Sequence, residues 1–577
     1  MPLWHGVAEL IKFLQILMIN TPQTSHSEYH LEEAIHKEKP RARWLSCEFF
    51  IYYALILFAA YKITFSGWKV SSPISNPNFD KLEHLLSRGW MGPFVDNSDA
   101  QFAAFRNNFL NLTLMMGIFC LLSLGLKALK RESYLFLAGL VVLLALHGLN
   151  SVFIISFMLV NYYITFLGQR YFPKLIPILT WSWALLSLVG LEWIGNQISF
   201  TNLSWGYLSF LDRNIFKGAY HRWWIIYNIS VLRMISFNLD YYYALISPRA
   251  TSSQTSIANM KHIRSCAECQ ESLSYCGKIR STTSLELDSY NVCNYFSYLL
   301  YTPLFLSGPI ITFNNFCCQL KAPILISSKY KAWYLIRLLI SILVMEWIMH
   351  NFYVVAIKNM RAWDGFSTLD MFCIGYLNLK LIWLKLLIIW RFARFWALVD
   401  GIDAPENMIR CMSNNYSGLA FWRSWHRSFN QWIVRYIYIP LGGSQYATLN
   451  IWVIFTFVAI WHDRTLSLLV WGWLISLFIA PELILAYLSK MLNAESWNSY
   501  RIHAGIAGAF NLYLMSIANL VGFCVGVDGV MIILKSALSY DGVVFLCWSF
   551  ITAYAAVQIM FEIREQEYRS LGVMKNY

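Results

Sequence analysis

Two histidines, His426 and His462, each follow a tryptophan, Trp425 and Trp461, within one aromatic stretch. A titratable ring in apolar surroundings is costly unless it is hydrogen-bonded or faces a wet cavity. A neutral imidazole can accept a proton from an attacking hydroxyl and return it to a leaving group. The alternative for His462 is an interfacial histidine bound by Asp463 or by a backbone carbonyl. For His426 it is a residue on a helix face. The residues alone leave these interpretations open.

Three arginines, Arg423, Arg427 and Arg435, accompany the histidines. Guanidinium groups suit the phosphates of a nucleotide-bearing ligand. Arginines at a membrane interface equally reach lipid phosphates, so this alternative stays open. Asn430 belongs to the same segment and could line the same space. The sequence contains no phosphate-binding glycine loop, GxSxG elbow or acidic metal cluster, which argues against a P-loop protein and a serine hydrolase.

The composition indicates a polytopic membrane protein. Of 577 residues, 57% are hydrophobic and only 13% are charged. Repeated apolar runs of membrane-spanning length overrule the several soluble domains that this chain length would otherwise suggest. The net charge of +13 favours basic cytosolic loops facing anionic lipids rather than a nucleic-acid partner. Many of the twelve cysteines lie in or beside apolar runs, and nothing predicts a disulfide scaffold.

Membrane helices must therefore position the histidines. The apolar runs, with basic residues between them, predict about eleven transmembrane spans plus one or two re-entrant segments. One such segment is 295–318, where Pro303, Gly308 and Pro309 interrupt a helix. An interrupted helix is tolerated at membrane depth where it is buried in protein or lines a cavity.

Charged residues also occur where a helix would otherwise face lipid. The run 367–400 contains four basic residues: Lys380, Lys385, Arg391 and Arg394. Either part of this run lies at the cytosolic interface, or these side chains face a polar tunnel. Asp403 and Glu406 follow in a turn with Pro405, and we predict that they cap the next helix.

We divide the chain into a polar, cytosolic N-terminus (1–43), a transmembrane domain (44–570) and a cytosolic tail (571–577). Apolar spacing near the start predicts a helix on the membrane surface or against the bundle. Within the transmembrane domain, 248–290 is rich in Ser and Thr and is predicted to be a flexible cytosolic loop.

This loop contains four side chains of metal-ligand type: His262, Cys266, Cys269 and Cys276. Four ligands at short spacing could bind zinc. A single CxxC without a second pair is a weak signal, however. From the sequence we predict no metal site.

The stretch 418–475 resembles the signature region of the membrane-bound O-acyltransferase superfamily through FWRSWH, RYIYIPLGG and AIWHD. Further motifs resemble its fungal branch, the glycerol uptake proteins. They are FVDNSDAQF (94–102), SFNLDYY (236–242), TPLFLSGPIITFN (302–314), LVDGIDAPENMIRC (398–411) and IMFEIREQE (559–567). The similarity extends from about residue 45 to 570.

The resemblance implies an all-α bundle around a central tunnel, with His462 as the catalytic base. It places His426 at the second polar position of the superfamily, where the side chain orients the acceptor or donates a hydrogen bond to the thioester carbonyl. It also implies acyl-CoA as co-substrate and no cofactor. Substrate contacts are expected from seven neighbours: Arg423, Trp425, Arg427, Asn430, Arg435, Trp461 and Asp463.

For the fungal branch, the resemblance implies remodelling of glycosylphosphatidylinositol (GPI) anchors. A long or very-long-chain acyl group would pass to the sn-2 hydroxyl of the lyso-phosphatidylinositol. Expected partners are lyso-GPI-anchored proteins or another lysolipid, and membrane lipids. The implied location is the endoplasmic reticulum membrane, with the plasma membrane second. Direct attack of the hydroxyl on the thioester, without an acyl-enzyme, is the economical mechanism.

Two alternatives come from other functional classes. The branch name suggests a glycerol–proton symporter, yet repeat-related halves and paired broken helices are not evident in the sequence. A non-catalytic, lipid-binding regulator is the other alternative, and the presence of both histidines weighs against it.

Overall fold

The computed structural model describes residues 42–125, 130–195, 197–220, 222–246, 262–264, 266, 269, 276–463, 465–494 and 499–571. Helices dominate these ranges. The α-helices are α1 (Cys47–Ser71), α2 (Phe79–Leu82), α3 (Ala100–Asn107), α4 (Phe109–Gly125), α5 (Arg131–His147), α6 (Ser151–Tyr171), α7 (Ile176–Ile194), α8 (Phe200–Leu203), α9 (Trp223–Ile246), α10 (Gly277–Thr282), α11 (Val292–Leu299), α12 (Thr302–Ser307), α13 (Phe313–Lys321), α14 (Ser328–Asn351), α15 (Val354–Met360), α16 (Thr368–Val399), α17 (Gly418–Ser424), α18 (Arg427–Ile433), α19 (Ala447–His462), α20 (Leu466–Met491), α21 (Tyr500–Phe523), α22 (Gly526–Ala537) and α23 (Tyr540–Leu571).

Shorter elements connect these helices. The 3₁₀ turns are Glu83–Leu85, Gly148–Asn150, Pro173–Leu175, Ser209–Asp212, Asn214–Phe216, Leu287–Ser289 and Gly443–Tyr446, and Val434–Tyr438 forms a π-helical turn. Strand β1 (Ser87–Arg88) pairs antiparallel with β2 (Phe94–Val95).

Nine helical segments of the described residues are long and apolar enough to cross a membrane. A tenth results if α3 and α4, which are bent by 56° relative to each other, form one span. The all-α, polytopic fold is thus confirmed. The count is below the predicted eleven partly because Arg131–Tyr171 is continuous enough to count once. In addition, α9 is not among the nine; it carries Arg233, Asn238 and Asp240.

The predicted interruption of a helix is present as the short helices α11, α12 and α13. Pro303 lies in the first turn of α12, where a missing N–H is harmless. After Gly308 the chain is extended until Thr312, whose Oγ1 accepts the N–H of Asn315 and caps α13. Almost all of this stretch is buried, so the interrupted backbone is packed inside protein, as membrane depth requires.

Helix α16 is the most enclosed of the nine candidate spans. Of its apolar window, 61% is buried, compared with 22% for α1 and for α23. Three of its four basic side chains, those of Lys385, Arg391 and Arg394, bind acidic groups of the same protein, whereas Lys380 Nζ donates to Ser413 Oγ. Lys385 Nζ lies 2.6 Å from Asp99 Oδ2, and Arg394 Nη2 lies 3.3 Å from Asp403 Oδ1. Internal ion pairing, rather than lipid exposure, therefore explains three of the four charges of this run.

Asp403 and Glu406 do not cap a helix, so that prediction is wrong. The Glu406 carboxylate is buried, 3.8 Å from Arg391 Nε and 3.7 Å from Arg394 Nη1. Burial alone would raise the pKa of Glu406, but the charges of Arg391, Arg394 and Arg337 and the hydrogen bond from Tyr334 outweigh it and hold the pKa below its usual value. A local turn motif does not reveal the partners of these carboxylates, which are Arg280 on α10 and two arginines on α16.

The predictions for the polar N-terminus and for the tail lie outside the described residues, except for their edges. The same holds for the larger part of the loop 248–290. Helix α10 and the turn Leu287–Ser289 belong to its described part.

We expect Glu406→Ala to destabilise the protein strongly, because it leaves Arg391 and Arg394 buried without their shared counter-charge. Breaking a buried pair in this way costs about 3–5 kcal/mol. The matched control is Asp364→Ala, which breaks a pair whose Lys81 and Asp364 side chains are 50% and 75% exposed. An exposed pair contributes about 0–1 kcal/mol. The measurement is the melting temperature in detergent, and equal values for the two variants would contradict the prediction.

Candidate active site

His426 lies in a turn between the short helices α17 and α18. Its backbone is left-handed, with φ 44° and ψ 51°. For a residue other than glycine this conformation costs on the order of 1–3 kcal/mol, and it persists only where the surroundings enforce it. Such strain is concentrated at functional sites, so the turn is a candidate for one.

Backbone hydrogen bonds hold this turn from two directions. The carbonyl of Asn407 accepts the N–H of Arg427 at 3.1 Å, and its side-chain oxygen accepts the N–H of Ser428 at 3.1 Å. Ser428 Oγ accepts the N–H of Ile310, in the interrupted stretch, at 2.8 Å. The backbone of His426 is therefore fixed by segments that are distant in the sequence.

The imidazole of His426 stacks on the indole of Trp390, with centroids 4.4 Å apart and planes at 24°. It also contacts Phe429 at 5.2 Å and Trp461 at 6.2 Å between centroids. Burial, and then the charge that His462 can carry, lower the pKa of His426 to about 3. The ring is thus neutral at physiological pH and has one N–H to donate. Among the described residues, none hydrogen-bonds its nitrogens.

His462 is the last residue of α19, and its side chain is exposed. Its ring contacts Trp461 at 4.8 Å, Trp471 at 6.3 Å and Phe523 at 5.9 Å between centroids. Within the described part of the chain, neither Asp463 nor a backbone carbonyl hydrogen-bonds this ring. The nitrogens of His462 therefore open on accessible space while aromatic rings surround the side chain.

Trp461 joins the two histidines, because its indole contacts both imidazoles. The indole Nε1 donates to the carbonyl of Asn228 on α9 at 2.9 Å, and the ring packs on Phe429 at 4.5 Å. A fixed indole thus sets the spacing of one exposed imidazole, that of His462, and one neutral, half-buried imidazole, that of His426. A proton acceptor beside a hydrogen-bond donor is an arrangement suited to acyl transfer.

Arg435 has a role that the sequence analysis did not assign. Its Nε and Nη2 lie 3.2 Å and 2.7 Å from Oδ1 of Asp240, which is fully buried on α9. The hydroxyl of Tyr436 donates to the same oxygen at 2.9 Å. This ion pair ties the π-helical turn to α9. The Arg435 guanidinium is bound to Asp240, and its contact with a substrate stays a prediction.

Comparison with known proteins decides the family. Residues 205–527, more than half of the chain and including both histidines, match the model of the membrane-bound O-acyltransferase family. The chain belongs to this family. It is 40% identical over 581 residues to the membrane-bound O-acyltransferase GUP1 of Candida tropicalis, covering 98% of this chain and 95% of that protein. The protein of the same name from Saccharomyces cerevisiae is 40% identical over 540 residues, covering 91% and 92%.

A more distant similarity extends to the mouse protein-cysteine N-palmitoyltransferase HHAT, which is 25% identical over 251 residues, covering 40% of this chain and 50% of that protein. As a member of the membrane-bound O-acyltransferase family, the protein is an acyltransferase with multiple membrane spans.

The remaining predicted contacts of this O-acyltransferase lie around the two histidines in sequence. Arg423 is exposed at the end of α17, and Arg427 and Asn430 are half-buried on α18. Trp425 contacts the same Trp390 indole on which His426 stacks. Asp463 is exposed directly after α19.

Three residues that hold the site were missed in the sequence: Trp390, Asn407 and Asp240. Asn407 and Asp240 do lie in motifs that carry the family resemblance, 398–411 and 236–242, and this was the available signal. Nothing in the sequence distinguished Trp390 from the other tryptophans of the chain.

We expect His426→Val to lower the melting temperature more than His426→Asn. The two side chains are similar in size and both lose the stack on Trp390. Asparagine adopts the left-handed conformation readily, whereas β-branched valine is strained there by about 1–3 kcal/mol. At His503, exposed on the regular helix α21, the same two substitutions serve as control. The backbone account is wrong if valine and asparagine are equivalent at position 426.

Proposed function

We propose that this membrane-bound O-acyltransferase moves a long or very-long-chain acyl group from acyl-CoA to the sn-2 hydroxyl of lyso-phosphatidylinositol in GPI anchors. His462 acts as the general base. The observation that carries the proposal is the His462 ring, which is exposed and has no hydrogen-bond partner among the described residues. Near-full-length similarity to two proteins named as O-acyltransferases supports the reaction class.

The reaction needs a proton acceptor at the attacking hydroxyl and a donor at the carbonyl. The hydroxyl oxygen attacks the thioester carbon while His462 takes the hydroxyl proton. His426, neutral and carrying one N–H, donates to the carbonyl oxygen as negative charge develops there. The tetrahedral intermediate collapses, the C–S bond breaks, and the CoA thiolate leaves with the electron pair. The proton on His462 returns to the thiolate, and no acyl-enzyme forms.

The surroundings of the histidines suit an acyl chain. Trp390, Trp461, Trp471 and Phe523 all contact one or both imidazoles. Aromatic faces offer apolar area to a hydrocarbon chain and exclude water. Exclusion of water favours transfer to a positioned hydroxyl over hydrolysis of the thioester.

The donor is acyl-CoA, and the reaction uses no further cofactor. Arg423, Arg427 and Arg435 lie near the histidines in the sequence and suit its phosphates, and Arg435 also binds Asp240. The acceptors are lyso-GPI-anchored proteins in the endoplasmic reticulum membrane, with the plasma membrane as a second location. The acceptor and the location rest on similarity to the fungal branch.

The decisive experiment compares wild type with His462→Ala at matched expression, using labelled very-long-chain acyl-CoA and lyso-GPI-anchored protein. We expect the initial rate of acyl transfer to fall by about 10²-fold or more, as for loss of a general base. His503→Ala, at an exposed helical histidine, is the matched control and keeps the wild-type rate.

Each other outcome removes a defined part of the proposal. Transfer by His462→Ala at the wild-type rate would remove the base. Acylation of a different hydroxyl lipid by the wild type would remove the acceptor. Absence of any acyl transfer, together with glycerol uptake into proteoliposomes that survives His462→Ala, would favour the symporter.

For the donor site we expect Arg423→Gln to raise the KM for acyl-CoA several-fold and leave the KM for the acceptor unchanged. The reason is the loss of one charge-assisted contact to phosphate. Arg88→Gln, an exposed arginine on β1 far from the histidines in sequence, is the control. Initial rates over a range of acyl-CoA concentrations provide the measurement. An unchanged KM for acyl-CoA would assign Arg423 to the lipid headgroups instead.

A further inference from the structure

Four metal-ligand side chains that the proposed reaction does not use lie together in the cytosolic loop. The ligand atoms of His262, Cys266, Cys269 and Cys276 all lie within 4.8 Å of one another. The four residues are only 4–8% exposed. The geometry points to a structural zinc site of Cys3His type formed by these residues. The site holds the loop against α13 and the loop that contains Asp403 and Asn407.

The distances are those of a nearly formed tetrahedral site. In a tetrahedral Cys3His zinc site, bonds of about 2.3 Å to sulfur and 2.0–2.1 Å to nitrogen place neighbouring ligand atoms roughly 3.6–3.8 Å apart. The His262 Nε2 to Cys276 Sγ distance is 3.1 Å, and the whole set stays within 4.8 Å. Small side-chain shifts thus suffice to place one ion among the four atoms.

The donor set selects the metal. Three thiolates and one imidazole form a soft, closed ligand set that is typical of structural zinc and leaves no open position for catalysis. None of the three cysteines forms a disulfide. Zinc with three thiolates carries one net negative charge, and basic residues are close by in the sequence at Arg264, Lys278 and Arg280.

A second layer of contacts supports a thiolate ligand. The backbone N–H of Cys276 points to Sγ of Cys269 at 3.4 Å. Backbone N–H groups that bind ligand atoms orient the primary ligands of metal sites. Cys276 itself is the N-cap residue of α10, so one ligand is attached to a regular element.

A metal-free apolar core is the competing explanation, and the size of the cluster argues against it. Among the described residues, the buried members are the three cysteines and Ile279, with Ile263 packed beside them. So few described apolar groups contribute little stabilisation by burial. Metal ligation supplies the missing free energy, as in other small metal-bound modules. Burial of the three thiols also argues against their being sites of lipid attachment.

The cluster is linked to the segment that holds the active site. Arg280 on α10 is buried, and its Nε donates to Oδ1 of Asn315 at 2.8 Å. Its Nη2 lies 3.4 Å from Oδ2 of Asp403, four residues before Asn407, which fixes the turn of His426. The zinc site therefore anchors α10 against α13 and this loop.

The test is the metal content of the full chain, purified in detergent with a tag that contains no histidines and without chelators. We expect about one zinc per chain by mass spectrometry of the metals. The variant Cys266→Ser with Cys269→Ser should lose this zinc. The matched control is Cys47→Ser with Cys547→Ser, which removes two exposed cysteines and should keep it.

A cobalt titration of chelator-stripped, reduced wild type covers the case in which the first variant fails to fold. We expect the visible bands of tetrahedral cobalt together with thiolate-to-cobalt charge transfer. Wild type without zinc and without these bands would overturn the inference. Loss of zinc from the control variant, or iron in place of zinc, would also overturn it. These readouts are independent of acyl transfer, so the site and the proposed reaction can fail separately.

Discussion

The structure depends on one constraint: a charge placed inside the bundle must find its counter-charge within the protein. Asp240 on α9 meets this constraint by binding Arg435, and Glu406 meets it by binding Arg391 and Arg394 of α16. The first pair joins elements that are distant in the sequence, and the second joins α16 to the loop that follows it. The Asp240 pair connects the segment that contains the histidines to α9. The Glu406 pairs connect the loop before that segment to α16. An apolar core alone would leave the relative positions of these short, irregular pieces poorly specified.

This rigid frame permits the strained turn of His426. The left-handed backbone of His426 is held by Asn407, which follows Glu406 directly. The residue that holds this turn and the residue that pairs with α16 therefore lie in one loop. Trp461 and His462 are the last two residues of α19, and the Trp461 indole is hydrogen-bonded to α9. The two imidazoles are therefore positioned by different anchors and meet at one indole. Such independent positioning leaves the nitrogens of both rings free of hydrogen bonds among the described residues and available to a substrate.

The sequence was sufficient for the membrane class and the interrupted helix around Pro303, because these depend on local composition and motif. The roles of both histidines stay predictions. The sequence failed for Glu406 because a nearby proline suggested a cap, whereas the actual partners are on α16. It failed for Trp390 because stacking on a distant ring leaves no local pattern. The convergence of His262, Cys266, Cys269 and Cys276 was not predicted, for a related reason. Their convergence depends on how the chain folds, and the spacing of a single CxxC does not reveal it.

We propose that the acyl group is transferred at the exposed imidazole of His462. Diethyl pyrocarbonate, which modifies accessible unprotonated imidazoles, tests it when modification at each histidine is measured by mass spectrometry alongside acyl transfer. We expect acyl transfer to be lost in proportion to the modification of His462. Added acyl-CoA should slow both the modification of His462 and the loss of transfer. His147, fully buried and hydrogen-bonded to the carbonyl of Tyr220, should resist. Complete modification of His462 with unchanged transfer, or inactivation with both His426 and His462 intact, would contradict this proposal.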